Sequence, residues 1–235
     1  MTACGAEPHL NYEGRCVKPK ERRRLYRLHS FERDAWSRGA RLICGVDEVG
    51  RGPLAGPVVA CAVVIDQPLD LEHLNDSKVV PPAHRPELDA AIRTQAVAFA
   101  LGWANPSEID RINILAASKV AMARALAALT VAPCRVLVDA VNIPQCAYPQ
   151  QPIIDGDAKS AAIAAASIIA KVFRDRWMDQ YDTIYPEYGF AQHKGYATRE
   201  HLTVLAKVGP SPIHRRTFAP VLSPTFDFLL DSAAL

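Results

Sequence analysis

The chain has 235 residues, of which 49% are hydrophobic and 22% are charged, a composition typical of a globular protein with a buried core. A formal net charge of only +2 excludes a uniformly basic nucleic-acid-binding protein. No apolar run approaches the ~20 residues that span a membrane, and no signal peptide is expected.

Basic side chains are concentrated near the start of the chain. Residues 18–41 contain nine Lys or Arg against three acids, so this stretch has a charge of +6 and the rest of the chain has −4. It is either a phosphate-binding patch or a solvated basic helix. We expect residues 1–17 to be disordered and a short helix within 21–38.

Apolar patterns predict alternating strands and helices along the remaining chain. Continuous β-branched and apolar runs predict neighbouring buried strands that are joined by a Gly/Pro turn. Amphipathic or Ala-rich runs predict helices between further short strands, and a Pro-rich tail follows. The order favours an α/β domain with a covered central sheet. The predicted strands are 42–47, 58–65, 97–103, 135–139 and 152–154, and the predicted helices are 82–96, 106–129, 158–178 and 198–207.

Six cysteines are present and none belongs to a C-x-x-C pair, so the spacing gives no support for a structural zinc site. Two of them, Cys44 and Cys61, lie inside apolar runs and are expected to be small buried residues. Free thiols in a chain without an export signal favour a reducing cytoplasm.

Carboxylates follow the ends of predicted strands. Asp47 follows ICGV, Asp139 follows RVLV, and Asp157 comes just before a helix. Because ligand sites form at strand ends in α/β sheets, these acids are expected to meet at one edge. Clustered carboxylates repel one another unless a cation neutralises them, and oxygen ligands suit Mg²⁺ or Mn²⁺.

Each acid also has an ordinary structural interpretation. Asp157 is well placed for an N-cap, Glu48 for a surface turn residue, and Asp139 for an Asx turn. The intervening turn, residues 50–57, has neither the G-K-[ST] of a P-loop nor the dinucleotide fingerprint. Its glycines would still let backbone N–H groups approach a nucleic-acid strand.

A series of motifs in one order closely resembles bacterial ribonuclease HII, a type 2 ribonuclease H, over roughly residues 42–220. The motifs are GVDEVGRGPLAGPVVACAVV, LNDSK, SEIDRINIL, VLVDA, GDAKSAAIAAASIIAKVFRD, YGFAQHKGYAT and GPSPIHRRTF. The resemblance implies a ribonuclease H-like α/β fold with a mixed central sheet, flanking helices and a helical C-terminal extension. We expect an extension over residues 1–40, partly disordered with a basic helix, a catalytic domain over 41–225 and a tail over 226–235.

The resemblance also implies the active-site residues. Asp47, Glu48, Asp139 and Asp157 are expected to be the catalytic acids and to bind two divalent cations, Mn²⁺ or Mg²⁺. The substrates would be RNA–DNA hybrids and duplex DNA with an embedded ribonucleotide, cut 5′ to the ribonucleotide to leave 3′-hydroxyl and 5′-phosphate ends. Expected substrate-binding residues are Gly50, Arg51, Gly52, Ser77, Lys78, Lys194 and Tyr196.

Several positions depart from the family pattern. Val79-Val80-Pro81-Pro82 replaces the usual continuation after Lys78. Asn142 lies one residue further from Asp139 than the corresponding Asn of the family does, and Asp155 stands where the family commonly has Lys. We expect a monomer in the cytoplasm, with a replication clamp as an open partner. The alternatives are a DEDD-type metal-dependent exonuclease, which needs no ribose, and a non-catalytic hybrid-binding module, which would show no divalent-ion-dependent turnover.

Overall fold

The computed structural model describes residues 18–222, which form a five-stranded sheet with helices on both faces. The strands are β1 (Ile43–Val49), β2 (Val58–Ile65), β3 (Ala98–Ala104), β4 (Arg135–Asp139) and β5 (Gln150–Ile153). The helices are α1 (Pro19–Leu28), α2 (Ser30–Ser37), α3 (Arg85–Gln95), α4 (Pro106–Ile112), α5 (Ile114–Ala127), α6 (Gly156–Lys159), α7 (Ala161–Ile184), α8 (Phe190–His193), α9 (Arg199–Val208) and α10 (Ala219–Leu222), with a 3₁₀ turn at Pro82–His84 before α3.

The sheet is mixed, with the strand order β3-β2-β1-β4-β5. The predicted neighbours β1 and β2 pair antiparallel, as β2 and β3 do, whereas β1–β4 and β4–β5 are parallel pairs. In the parallel register Val46 lies opposite Val138. The next residues along the two strands, Asp47 and Asp139, therefore lie side by side at one edge of the sheet.

Apolar side chains fill both sides of the sheet. Helix α7 packs against β1 and β2 on one face, and α5 packs against β2 and β3 on the other. All eight residues of β2 are buried, as its continuous apolar run predicts for an interior strand. Gly45 permits the close approach of α7, because a Cβ there would lie 2.0 Å from the carbonyl carbon of Ala162.

Three predicted helices are each interrupted once, and the interruptions explain why the expected spans were wrong. The first stretch breaks after Leu28, where His29 caps α1. Asn113 adopts a φ of 68° and its side chain accepts the Ala116 N–H, so α5 begins separately from α4. Ser160 is extended and caps α7 in the same way, which leaves α6 as a single turn.

The basic N-terminal helices are packed onto the core. Leu25, Leu28 and Ala35 are buried in the same apolar cluster as α7. The fully buried Glu32 accepts hydrogen bonds from the Ser160 hydroxyl at 2.5 Å and from the Ala162 N–H at 2.9 Å. Helix α2 thereby holds the α6–α7 junction. The expectations for residues 1–17 and 226–235 lie outside the described residues.

Across residues 18–222, no helix has both the length and the apolar character needed to cross a bilayer.

Candidate active site

The four predicted acids lie at adjoining positions. Asp47 and Glu48 are on β1, Asp139 ends the parallel strand β4, and Asp157 lies within α6. An Asp139 carboxylate oxygen accepts the Gly156 N–H at 2.7 Å, which links the end of β4 to the turn that carries Asp157. The sheet edge and α6 together bring the carboxylates into one site.

Burial and mutual repulsion change the protonation of this group. Desolvation, followed by the charges of Glu48 and Asp139, raises the pKa of Asp47 well above its usual range. Desolvation raises the pKa of Glu48 to about 7 against the opposing effect of Arg51. The pKa of Asp157 rises to about 6 through desolvation and the nearby carboxylates. Such shifts mark carboxylates whose burial and mutual repulsion outweigh the effect of the neighbouring positive charges.

The ordinary structural interpretations of these acids do not hold. Asp157 is inside α6, and Ser160 is the residue that caps the long helix α7. The Glu48 side chain is only 6% exposed, so it is no surface turn residue. Asp139 accepts its hydrogen bond from Gly156, in a distant segment, instead of forming an Asx turn.

The donor set fits a hard divalent cation. Within residues 18–222, Glu48 Oε2 is buried without a hydrogen-bond partner, and the acids nearby offer carboxylate oxygens, the ligands that such a cation prefers. Among residues 18–222, no three His, Cys, Asp or Glu side chains are arranged to hold an ion by themselves. Mg²⁺ commonly keeps several waters and is bound by one or two carboxylates together with substrate phosphates.

A further acid, Asp76, lies beside the site and is not among the residues predicted from the sequence. Its charge and a side-chain hydrogen bond both raise the pKa of Asp157. The Lys78 ammonium, 3.8 Å from Asp157 Oδ2, has the opposite effect. The LNDSK motif contained this signal, because Asp76 belongs to the same short segment as Lys78.

Four expected substrate-binding side chains, those of Arg51, Ser77, Lys78 and Lys194, have partners within the protein, and the Arg51 guanidinium lies 3.3 Å from Glu48 Oε1. Ser77 is buried, and its hydroxyl is hydrogen-bonded to the Ser167 hydroxyl at 2.8 Å. Ser167 also hydrogen-bonds Asp47 and lowers its pKa, so Ser77 is connected to the carboxylates through one hydroxyl. The Lys194 ammonium pairs with Asp179. Lys78 pairs with Asp157, and its side chain is 80% exposed.

A buried arginine side chain stabilises the glycine-rich turn, residues 50–57, through hydrogen bonds to its carbonyl groups. Arg215 donates to the carbonyls of Gly50 at 2.6 Å, Arg51 at 2.8 Å and Gly56 at 2.9 Å. Because N–H and C=O point in opposite directions in a trans peptide, the N–H groups of Arg51 and Gly52 point away from Arg215. Neither donates to another group within residues 18–222. Both remain available to a ligand.

A second buried arginine extends this arrangement. Arg174 donates to the carbonyls of Pro57, Ala55 and Lys194 at 3.0–3.1 Å. Burial lowers the pKa of Arg174 to about 10 and that of Arg215 to about 9. Gly50 has a φ of 90°, and a Cβ there would lie 2.2 Å from Arg174 Nε, so the turn requires glycine at this position.

Tyr196 lies across this turn, with 45% of its surface exposed and its ring 3.9 Å from where a Gly52 Cβ would be. Its carbonyl accepts His201 Nδ1–H at 2.8 Å, which leaves His201 Nε2 to accept from His214 Nε2–H at 3.0 Å. His214 Nδ1 in turn accepts the Ser211 N–H. Burial lowers the pKa of His201 to about 4 and of His214 to about 3. The pair is therefore a neutral structural link behind Tyr196.

Known structures share this architecture. Ribonuclease H2 from Pyrococcus horikoshii aligns with a TM-score of 0.65 and 28% identity, over 80% of this chain and 99% of that one. With its mixed sheet and flanking helices, the protein has the ribonuclease H fold.

Sequence relatives identify the family. The Ribonuclease HII family model matches residues 44–221. Ribonuclease HII from Lactobacillus helveticus is 55% identical over 82% of this chain and 76% of its own length. The Moorella thermoacetica protein of the same name is 52% identical over 84% of this chain and 96% of its own. The chain belongs to the ribonuclease HII family and is an enzyme of the ribonuclease H type.

Proposed function

We propose that this enzyme is an endonuclease that hydrolyses the RNA strand of RNA–DNA hybrids and cuts 5′ to single ribonucleotides in duplex DNA, leaving 3′-hydroxyl and 5′-phosphate ends. The observation that carries the proposal is the carboxylate cluster at the ends of β1 and β4, next to a turn with two outward N–H donors. The family assignment supports it.

The carboxylates are proposed to bind two divalent cations, Mn²⁺ or Mg²⁺. Asp47 and Asp139 would hold one ion, and Asp47, Glu48 and Asp157 the other. Such ions, when bound, lower the pKa of an attacking water and neutralise charge on the phosphate and the departing 3′-oxygen. The exposed Lys78 ammonium beside Asp157 adds a positive charge that attracts the phosphate backbone.

Sugar recognition is proposed to occur at the turn over Arg215. The 2′-hydroxyl is the group that distinguishes RNA from DNA, and it can accept hydrogen bonds from the Arg51 and Gly52 N–H groups. The exposed Tyr196 ring beside Gly52 offers a flat apolar surface for the adjoining deoxynucleotide sugar. Arg215 keeps both donors oriented before the substrate arrives, which reduces the ordering that binding requires.

Metal activation is expected to weaken in acid. Protons compete with a cation for Glu48 and Asp157, whose pKa values are about 7 and about 6. Lowering the pH from 8 to 6 should raise the Mg²⁺ concentration for half-maximal cleavage by at least about tenfold. Metal titrations at several pH values measure this, with ionic strength held constant. A half-maximal concentration independent of pH would contradict carboxylate ligation.

The proposal is tested with an RNA segment flanked by DNA on the same strand and paired with complementary DNA. Internal cleavage with Mg²⁺ or Mn²⁺ but not with a chelator is the expected result. Degradation that begins only at strand ends, including ends made of DNA, would instead indicate the exonuclease. Binding without any metal-dependent product would indicate a non-catalytic module.

We further propose a monomer that works in the cytoplasm, in ribonucleotide excision repair and DNA replication. The free thiols of Cys44 and Cys61 support a reducing compartment. We also predict a replication clamp as protein partner and no association with a membrane. The roles of Lys194 and Ser77 in substrate binding stay predictions.

A further inference from the structure

A basic groove lies next to the carboxylate site. It is a cavity of about 860 Å³ bounded by α1, the loop that contains residues 72–75, and α6. We call it the α1 groove. Its basic lining residues are Lys18, Lys20, Arg24, Arg27 and Lys159, against the two acids Glu21 and Glu72. The excess of positive charge makes it a candidate site for an anionic ligand.

Helix α1 directs one row of cations into this groove. Lys20, Arg24 and Arg27 follow the i, i+4, i+7 spacing that places side chains on one helix face. Arg24 is held by Glu21 at 2.6 Å and by the Leu74 carbonyl at 2.7 Å, so its role is structural. Within the described part of the chain, Lys20 and Arg27 are exposed and form no ion pair.

Two segments connect the groove to the carboxylates. The loop contributes Asn75 to the groove and the next residue, Asp76, to the site. Helix α6 contributes Asp157 to the site, and its next two residues line the groove. Three residues of extended chain span at most about 10 Å. At about 3.4 Å per nucleotide along a duplex, this places the nearest lining residues of the groove at most about three nucleotides from the carboxylates.

We propose that the α1 groove binds the phosphate backbone of the same duplex that is cut at the carboxylates. Lys20 and Arg27 contact phosphates there, without reading sugar or base, and so add affinity on one side of the cleavage point. The proposal rests on the proposed function. It assigns to the N-terminal helix a role in substrate binding, in addition to its packing on the core.

The test compares two double variants of one helix. Lys20→Ala/Arg27→Ala removes the groove cations, and Arg22→Ala/Arg23→Ala removes two exposed cations of α1 that do not line the groove. Both lose the same charge, and all four positions are exposed, so both should fold normally. Affinity for a ribonucleotide-containing duplex is measured in chelator from 50 to 300 mM salt, and for an all-DNA duplex of equal length.

The groove variant should lose about 5-fold in affinity at 150 mM salt for each phosphate contact removed. Its plot of log K against log salt should become shallower by about 1 to 2, for both duplexes. The control variant should match the unmodified protein. Equal slopes in the two variants would overturn the proposal. Failure of the unmodified protein to cleave a hybrid would reject the proposed function instead, whatever the slopes are.

Discussion

Replacing Asp47 with asparagine should abolish cleavage and at the same time stabilise the metal-free protein. Asp47 is buried between Glu48 and Asp139, both of which raise its pKa. Loss of this ligand should lower kcat/KM by at least about 10³-fold, equivalent to about 4 kcal/mol of transition-state stabilisation. The neutral amide keeps the shape of the side chain and removes the repulsion, which should add about 1–2 kcal/mol of stability in chelator at pH 8.

The gain in stability from this substitution should increase as the pH rises. A folded-state pKa above the unfolded value means that ionisation of Asp47 opposes folding increasingly as pH rises. The stabilisation in Asp47→Asn should therefore be larger at pH 8 than at pH 5. Thermal unfolding in chelator measures the gain, and a cleavage assay measures the loss.

Asp66→Asn is the matched control. Asp66 is exposed and directly follows β2. Because the last residue of β2 pairs with the first residue of β1, Asp66 lies at the end of the sheet opposite to Asp47. It should change neither activity nor stability measurably. An Asp47→Asn protein that is destabilised in chelator would indicate a structural acid. One that cleaves normally would remove Asp47 from the metal site.

Arg215→Lys is expected to be far from conservative. The guanidinium satisfies the carbonyls of Gly50, Arg51 and Gly56 simultaneously, and a single ammonium cannot reproduce that fork. Because buried carbonyls are left without donors, the free energy of unfolding should fall by about 3 kcal/mol, which lowers Tm by about 6–12 °C. The Arg51 and Gly52 N–H groups would lose their fixed direction, and cleavage at a single ribonucleotide should fall about 10- to 100-fold.

The neighbouring Arg216→Lys provides the control, because Arg216 is exposed and, within residues 18–222, its guanidinium donates only to the Pro210 carbonyl, at 3.3 Å. It should retain both Tm and activity. Cleavage is compared at a temperature where both variants are folded. If Arg215→Lys is destabilised but still cleaves at the ribonucleotide at the normal rate, Arg215 stabilises the turn without contributing to sugar recognition. That result would contradict the role given to Arg215.

The sheet and the positions of the acids at its strand ends could be predicted because their signals are local in the sequence. A buried strand that ends in a carboxylate is visible in ICGVD and RVLVD, and the structure places Asp47 and Asp139 side by side as that pattern suggests. The apolar run of β2 likewise predicted a strand that is buried along its whole length. Each conclusion depended on neighbouring residues within one segment.

The support beneath the site could not be predicted, because it depends on contacts between distant segments. Arg215 reaches the carbonyl of Gly50, 165 residues earlier, and Glu32 accepts from Ser160 across 128 residues. A composition or spacing rule cannot distinguish such a buried arginine from its exposed neighbour Arg216. The helix break at Asn113 depends on a left-handed backbone and a side-chain cap that apolar periodicity does not report.

The measurement that tests the central claim most directly uses a labelled DNA duplex with one ribonucleotide, incubated with Mg²⁺, Mn²⁺ or chelator. An all-DNA duplex of the same sequence is the control. We expect one metal-dependent cut 5′ to the ribonucleotide, with a 3′-hydroxyl on the upstream product and no cut in the control. No cut at the ribonucleotide with either metal, or an equal cut in the all-DNA duplex, would contradict recognition of the 2′-hydroxyl beside the carboxylate site.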